Sequence, residues 1–141
     1  PQYNLLHRDR VEVEYKKLFS EIGLGATVYS PLSNGLLTGK YMDGIPKGSR
    51  ATLEGYDWVI KRLSSNEGYN WSKIIEKLKI HSLDLGISMS QLAIAWCMKN
   101  PNVSSVIMGI SNIDQLRENL DTIHKEPLLT KEKMECLVVT T

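Results

Sequence analysis

Two stretches of this chain carry side chains of the kind that hold a ligand. The first is Tyr29-Ser-Pro-Leu-Ser-Asn-Gly-Leu-Leu-Thr-Gly-Lys-Tyr41, which packs aromatics, hydroxyls, Pro31, two glycines and Lys40 into thirteen residues. It follows an apolar run over residues 24–28 that reads as a buried strand. The second is Gly109-Ile-Ser-Asn-Ile-Asp-Gln-Leu-Arg-Glu-Asn119, where another apolar run, 103–108, hands over to a helix. In parallel α/β folds ligands gather at the downstream ends of strands, where the loops are free of the core. Gly109 lets the backbone turn or approach a ligand closely. Ser111 stands at a helix start, whose unpaired N–H groups and dipole favour an anion. Gln115 follows Ser111 by four residues and Asn119 follows Gln115 by four, a spacing that predicts one helical stripe. Such a stripe suits one face of a phosphate-bearing nucleotide. The plainer reading makes Ser111 a cap and Gln115, Glu118 and Asn119 solvated surface, and spacing alone leaves both open.

The elements that must position these residues follow from periodicity. Asp9 and Glu12 have capping-box spacing, with Val11, Tyr15, Leu18, Phe19 and Ile22 recurring at helical intervals and Gly23 as the stop. Residues 24–29 lack polar alternation, which predicts a strand buried on both faces of a parallel sheet. Residues 32–66 show no clean period and contain Gly35, Gly39, Gly44, Gly48, Gly55 and Pro46. A structureless loop of that length is usually functional. Trp71–Leu85 reads as a helix with Ile74, Leu78, His81 and Leu85 on one stripe and Gly86 as its stop. Ser88 and Gln91 form a second capping box, followed by Leu92, Ala95, Trp96 and Lys99 on one face and by Asn100-Pro101 as the terminator. Residues 103–108 are the second strand. Ser111-Asn-Ile-Asp114 caps a further helix with Ile113, Leu116, Leu120 and Ile123 expected inside, and 130–138 is a last short helix. Strands alternating with helices imply a parallel α/β sheet or barrel. Two strands alone leave open edges, so further strands are expected upstream of Pro1. Pro1-Gln2-Tyr3-Asn4 itself opens in mid-pattern, like the tail of a strand.

Composition narrows the function. The 141 residues are 42% hydrophobic and 23% charged with a net charge of +1, so no strong field points to nucleic acid or to acidic membranes. No stretch approaches the roughly 18 apolar residues of a membrane span. Cys97 and Cys136 are far apart, which fits a reducing compartment and a cytoplasmic location. His7, His81 and His124 have no partners at ligand spacing, so no metal is expected. Trp96, Cys97 and Met98 read as helix packing. Trp58 and Trp71 flank the long loop and either cover a substrate or anchor the loop. Lys73, Lys77 and Lys79 read as a solvated helix edge.

Tyr29-Ser-Pro-Leu with Gly35-Leu-Leu-Thr-Gly-Lys-Tyr41, then Gly44-Ile-Pro and Ser49-Arg50, resembles the aldo-keto reductase superfamily. The resemblance is strongest to the branch that includes the beta subunits of voltage-gated potassium channels. Gln91-Leu-Ala-Ile-Ala-Trp-Cys97, Val103-Ser-Ser-Val106 and the Gly109–Asn119 segment are similar to that branch as well. It runs from Pro1 to about Lys125. It implies the C-terminal half of a (β/α)8 barrel, all 141 residues belonging to one oxidoreductase domain, with residues 24–29 as strand seven, 103–108 as strand eight and Tyr3 ending strand six. It implies NADP(H) as cofactor. Tyr29 would stack on the nicotinamide, and Ser30, Pro31 and Leu32 would lie along its ribose and the pyrophosphate. Lys40 would pair with the pyrophosphate, and Arg50 would hold the cofactor from the loop over it. Gly109, Ser111 and Gln115 would surround the adenosine 2′-phosphate, with Glu118 and Asn119 on the adenine. Ser33 and Asn34 stand where the branch often has Ala or Ser and Cys or Gly, respectively, and no cofactor contact is carried over to them. Gly48 replaces a Tyr common in channel subunits, which removes one contact. The family's catalytic Asp, Tyr, Lys and His or Asn match no residue here. The implied functions are the NADPH-binding part of a reductase acting on small aldehydes or ketones, a regulatory beta subunit that assembles as a homotetramer on a potassium channel alpha subunit, or an inactive truncated fragment.

Overall fold

The computed structural model describes residues 1–64 and 71–137. Two parallel strands, β1 (Ala26–Tyr29) and β2 (Val103–Ile107), sit side by side, with Thr27 opposite Ser105, Val28 opposite Val106 and Tyr29 opposite Ile107. The first residues run parallel along the other edge of β1. Gln2 bridges Tyr29; the Tyr29 N–H donates to the Pro1 carbonyl at 3.1 Å and the Tyr3 N–H to the Tyr29 carbonyl at 3.2 Å. Pro1 to Tyr3 therefore reads as predicted, as the end of a strand. The ladder slips by one residue between Ala26 and Thr27, and Ser104 is the extra residue. Gly25 makes room for it, since a Cβ there would collide with Ser104 Oγ.

Among the described residues six helices accompany this sheet: α1 (Lys16–Ile22), α2 (Asp57–Ser64), α3 (Trp71–Leu85), α4 (Met89–Met98), α5 (Ile113–Lys125) and α6 (Lys131–Leu137). Helix α4 is the centre. Every residue from Gln91 to Cys97 is buried, the signature of a helix that is apolar all round. It packs on α3, α5, β2 and the turn after β1. Its start is the predicted capping box: Ser88 Oγ accepts from the Gln91 N–H at 3.1 Å, and Gln91 Oε1 accepts from the Ser88 N–H at 3.2 Å. Helix α3 has the predicted bounds, with Ile74 and Leu78 buried and His81 and Leu85 at the boundary.

Four expectations are corrected. Strand β1 is not buried on both faces: Ala26 and Val28 are buried while Thr27 and Tyr29 are exposed. The helices cover the Val28 side alone, and Ser105 and Ile107 continue the open side across β2. On α5 the apolar stripe faces out, with Ile113, Leu120 and Ile123 all exposed and Leu116 only half-buried. Asn119 and Thr122 are buried instead, because α5 docks on α4 through a polar seam: Gln91 Nε2 donates to the Glu118 carbonyl at 3.1 Å and to Asp121 Oδ2 at 3.3 Å. Residues 32–64 are not structureless. They hold the short 3₁₀ turns Ser33–Thr38 and Arg50–Thr52 as well as α2, while residues 65 and 66 of the expected loop lie outside the described residues.

The fourth correction is at Asp9, which has helical backbone angles and caps nothing. Glu12 is taken by other partners. Arg8 grips it with Nε at 3.0 Å from Oε1 and Nη2 at 2.7 Å from Oε2, and the Tyr3 hydroxyl donates to Oε1 at 2.8 Å. Arg10–Glu14 then forms one wide π turn ahead of α1, which ends as predicted at a left-handed Gly23. The same Tyr3 hydroxyl accepts from Asn100 Nδ2 at 3.1 Å, and its ring lies 5.0 Å from that of Trp96. Burial, reinforced by Glu12 and opposed by Asn100, pushes the Tyr3 phenol well above its ordinary value of 10.0. A raised folded-state value means a contribution to stability that is complete below pH 10 and is lost as pH rises above it. Tyr3→Phe leaves Glu12 and Asn100 each short of a partner, so it should lower unfolding free energy by about 1–3 kcal/mol at neutral pH. The loss should shrink above pH 10, as measured by urea unfolding at a series of pH values.

Candidate functional site

The first of the two stretches folds as a tight left-handed turn at the end of β1. Tyr29 is 51% exposed on the open face of the sheet. Beyond it Ser30, Ser33, Asn34 and Gly35 all have positive φ, at 58°, 46°, 57° and 94°. Such conformations in non-glycine residues cost of order 1 kcal/mol or more each and persist where neighbours over-determine them. Here the neighbours are specific. Asn4, wholly buried, donates from Nδ2 to the Ser30 carbonyl at 2.8 Å while its Oδ1 accepts from the Leu6 N–H at 2.9 Å. The Ser33 N–H donates to Ser30, and the Gly35 and Leu37 N–H groups donate to Leu32. Thr38 Oγ1 donates to the Gly35 carbonyl at 2.8 Å. Pro31, Leu36 and Leu37 are buried beneath the turn, and Leu32 is half-buried. Asn4 is the positioning residue that sequence reasoning missed. Its signal was an amide placed directly after a strand end, among apolar neighbours.

Two cations converge on this turn. Lys40 folds back so closely that a Cβ at Gly35 would collide with its Cε and Nζ, and Nζ sits 5.0 Å from the Tyr41 ring centroid. Arg50 arrives from sixteen residues along the chain, with Nη1 donating to Asn34 Oδ1 at 3.1 Å. Its guanidinium carbon lies 5.6 Å from the Tyr56 ring, which in turn neighbours the half-exposed Trp58. The hydroxyls of Ser33, Tyr41 and Ser49 are buried without a hydrogen-bond partner among the described residues. Each such orphan costs about 1–3 kcal/mol, so three within one loop form a donor set with capacity to spare. Orphan hydroxyls beside a lysine and an arginine fit an anion rich in oxygen. Asn34, to which no contact was carried over, thus belongs to the site. The side chain of Trp71 lies outside what the structure describes.

The second stretch is arranged differently from its prediction. The cap of α5 is Asn112, whose Oδ1 accepts from the Gln115 N–H at 2.9 Å. Ser111 instead closes on Gln115: its N–H and Oγ both meet Gln115 Oε1, at 3.0 and 2.9 Å. Gly109, Ser111, Gln115 and Glu118 are exposed, whereas Asn119 is buried. The single stripe fails because Ser111 precedes the helix, so the four-residue spacing does not apply to it, and because α5 turns Asn119 toward α4. Among the described residues no hydrogen bond or ion pair links this stretch to the first. Cys97 is a packed thiol. Burial pushes it up to about 12, and its Sγ donates to the Tyr3 carbonyl at 3.5 Å. No helix among the described residues is long and apolar enough to cross a membrane.

Comparison with known families gives a match to the aldo/keto reductase family over residues 1–138. The chain belongs to the aldo/keto reductase family. That family is one of oxidoreductases that generally use NAD(P)H. In this aldo/keto reductase chain the orphan hydroxyls of Ser33 and Ser49, with Lys40 and Arg50, fit a nucleotide's phosphates in charge and in donor chemistry. What fixes that set in space is Asn4. Asn4→Ala removes the amide that pins Ser30 and should cost about 1–3 kcal/mol of stability. Ser30→Gly, which relieves the positive φ, should recover part of that loss in the double variant; urea unfolding of the single and double variants checks both.

Proposed function

We propose that this chain is the C-terminal half of a (β/α)8 aldo/keto reductase barrel and that it binds NADP(H) for the reduction of small aldehydes or ketones. The observation that carries the reading is the convergence of Lys40 and Arg50 on one strained turn beside unpartnered hydroxyls. Parallel β1 and β2, with residues 1–3 alongside, supply the strand ends on which such a site stands. The open face of the sheet supports the barrel reading, because Tyr29, Thr27, Ser105 and Ile107 present a surface that a closed barrel would enclose.

Bound there, NADPH would supply the hydride, and the protein supplies binding and orientation. Tyr29 offers a flat, half-exposed ring for the nicotinamide. Ser30, Pro31 and Leu32 set the wall beside it, held by Asn4 and by the buried Leu36 and Leu37. Lys40 acts as a point charge on the pyrophosphate, and Arg50 adds a planar fork of donors from across the turn. Gly109, Ser111, Gln115 and Glu118 are the exposed group assigned to the adenosine end. Ser111 and Gln115 hold each other through Gln115 Oε1, which leaves the Gln115 amide N–H groups as donors for a 2′-phosphate. Asn119 would have to leave its buried position against α4 to touch the adenine. No residue of this chain takes the family's proton-donor role, so the proposal gives it binding and positioning alone.

The test is fluorescence titration of NADPH into the whole protein. Lys40→Ala and Arg50→Ala should each weaken binding about tenfold or more, since each removes a charge-assisted contact, and added salt should shrink both effects. Unchanged affinity in both variants would show that the two cations are ordinary surface charges.

A further inference from the structure

We infer that Asn34 is a positioning residue for Arg50, holding the guanidinium over the turn before any phosphate arrives. The inference rests on the reading of Arg50 as a cofactor residue. Asn34 sits at φ 57° and ψ 25°, a conformation that asparagine tolerates better than most side chains. The left-handed Gly35 follows it, with Lys40 folded against that glycine. From there Asn34 Oδ1 accepts the Arg50 Nη1–H at 3.1 Å. Among the described residues it is the one hydrogen bond that joins the Ser33–Thr38 turn to the Arg50–Thr52 turn.

Arg50 is restrained from two more directions. Its guanidinium carbon lies 5.6 Å from the Tyr56 ring. Its backbone is held in a closed turn, in which Thr52 donates to the Ser49 carbonyl through both its N–H and its Oγ1, and Ala51 is buried. A guanidinium carries five N–H donors, and Asn34 uses one of them. The remaining four are free of that bond, so a phosphate can be gripped without breaking the tie. An arginine already held loses less freedom on binding than one that swings in solvent. The amide is also neutral. Aspartate at the same position would hold Arg50 more firmly and cancel the charge that a phosphate needs.

The experiment is NADPH titration and stopped-flow dissociation on the whole protein, with Asn34→Gly and Asn34→Asp made in both the unchanged and the Arg50→Ala backgrounds. Glycine keeps the left-handed backbone and deletes the amide; aspartate keeps the side-chain volume and serves where the glycine variant does not fold. Asn34→Gly should raise the NADPH Kd about threefold to tenfold, mainly through faster dissociation. Asn34→Asp should bind more weakly still. In the Arg50→Ala background Asn34→Gly should add nothing, because its effect passes through Arg50. An equal loss in both backgrounds, or no loss while Arg50→Ala weakens binding, overturns the inference. Asn34→Asp binding as tightly as the unchanged protein does the same. If Arg50→Ala itself leaves NADPH affinity intact, the cofactor reading of Arg50 falls first and takes the inference with it.

Discussion

The packing of α3, α5, β2 and the turn after β1 leans on a helix with no side left for water over residues 91–97. The run from Gln91 to Cys97 is buried around its full circumference, so α4 has no stable existence apart from its neighbours, and each neighbour is oriented by the face of α4 it covers. Trp96 offers a ring to Tyr3 on one side and lies under the Arg8 guanidinium at 5.6 Å. Other faces meet α3, β2 and the turn after β1. The arginine, the glutamate and the tyrosine of the N-terminal segment complete one another's hydrogen bonds, which lets charged groups come this close to the interior without a bare charge.

The strained turn is the second consequence. Three non-glycine residues with positive φ in five positions would relax if the turn stood alone. They do not, because Leu36 and Leu37 anchor the turn in the core and Asn4 reaches across to its first carbonyl. Strain held by a rigid base gives a surface of fixed shape, against which Lys40 folds at Gly35 and Arg50 bonds Asn34.

Much of the frame was legible in the sequence. Both strands, α3, the Ser88 capping box and α5 lie within two residues of where the sequence placed them, and α6 fills the described part of the expected 130–138 helix. These features are local, and local rules suffice for them. The misreadings share one cause, which is tertiary competition for a group that a local rule had already assigned. Glu12 was assigned to an N-terminus and is held by Arg8 and Tyr3. Ser111 was assigned to a cap and bonds Gln115, while Asn112 caps the helix. The apolar stripe of α5 should have faced inward, but the polar groups of α4 draw its other side in. The roles of Asn4 and Asn34 were hard to read for a related reason. An asparagine has no periodic signature, and its partners, Ser30 and Arg50, are distant in the chain.

Gln91 shows how closely local and distant demands are matched. The capping rule accepts glutamate or glutamine at this position, because either can receive the Ser88 N–H. The fold is more exacting. The same side chain must also give two protons to α5, one to the Glu118 carbonyl and one to the Asp121 carboxylate. Glutamate would keep the cap, lose both donations and set a second negative charge against Asp121. One carboxamide, with one end accepting and the other donating, therefore starts one helix and moors the next to it.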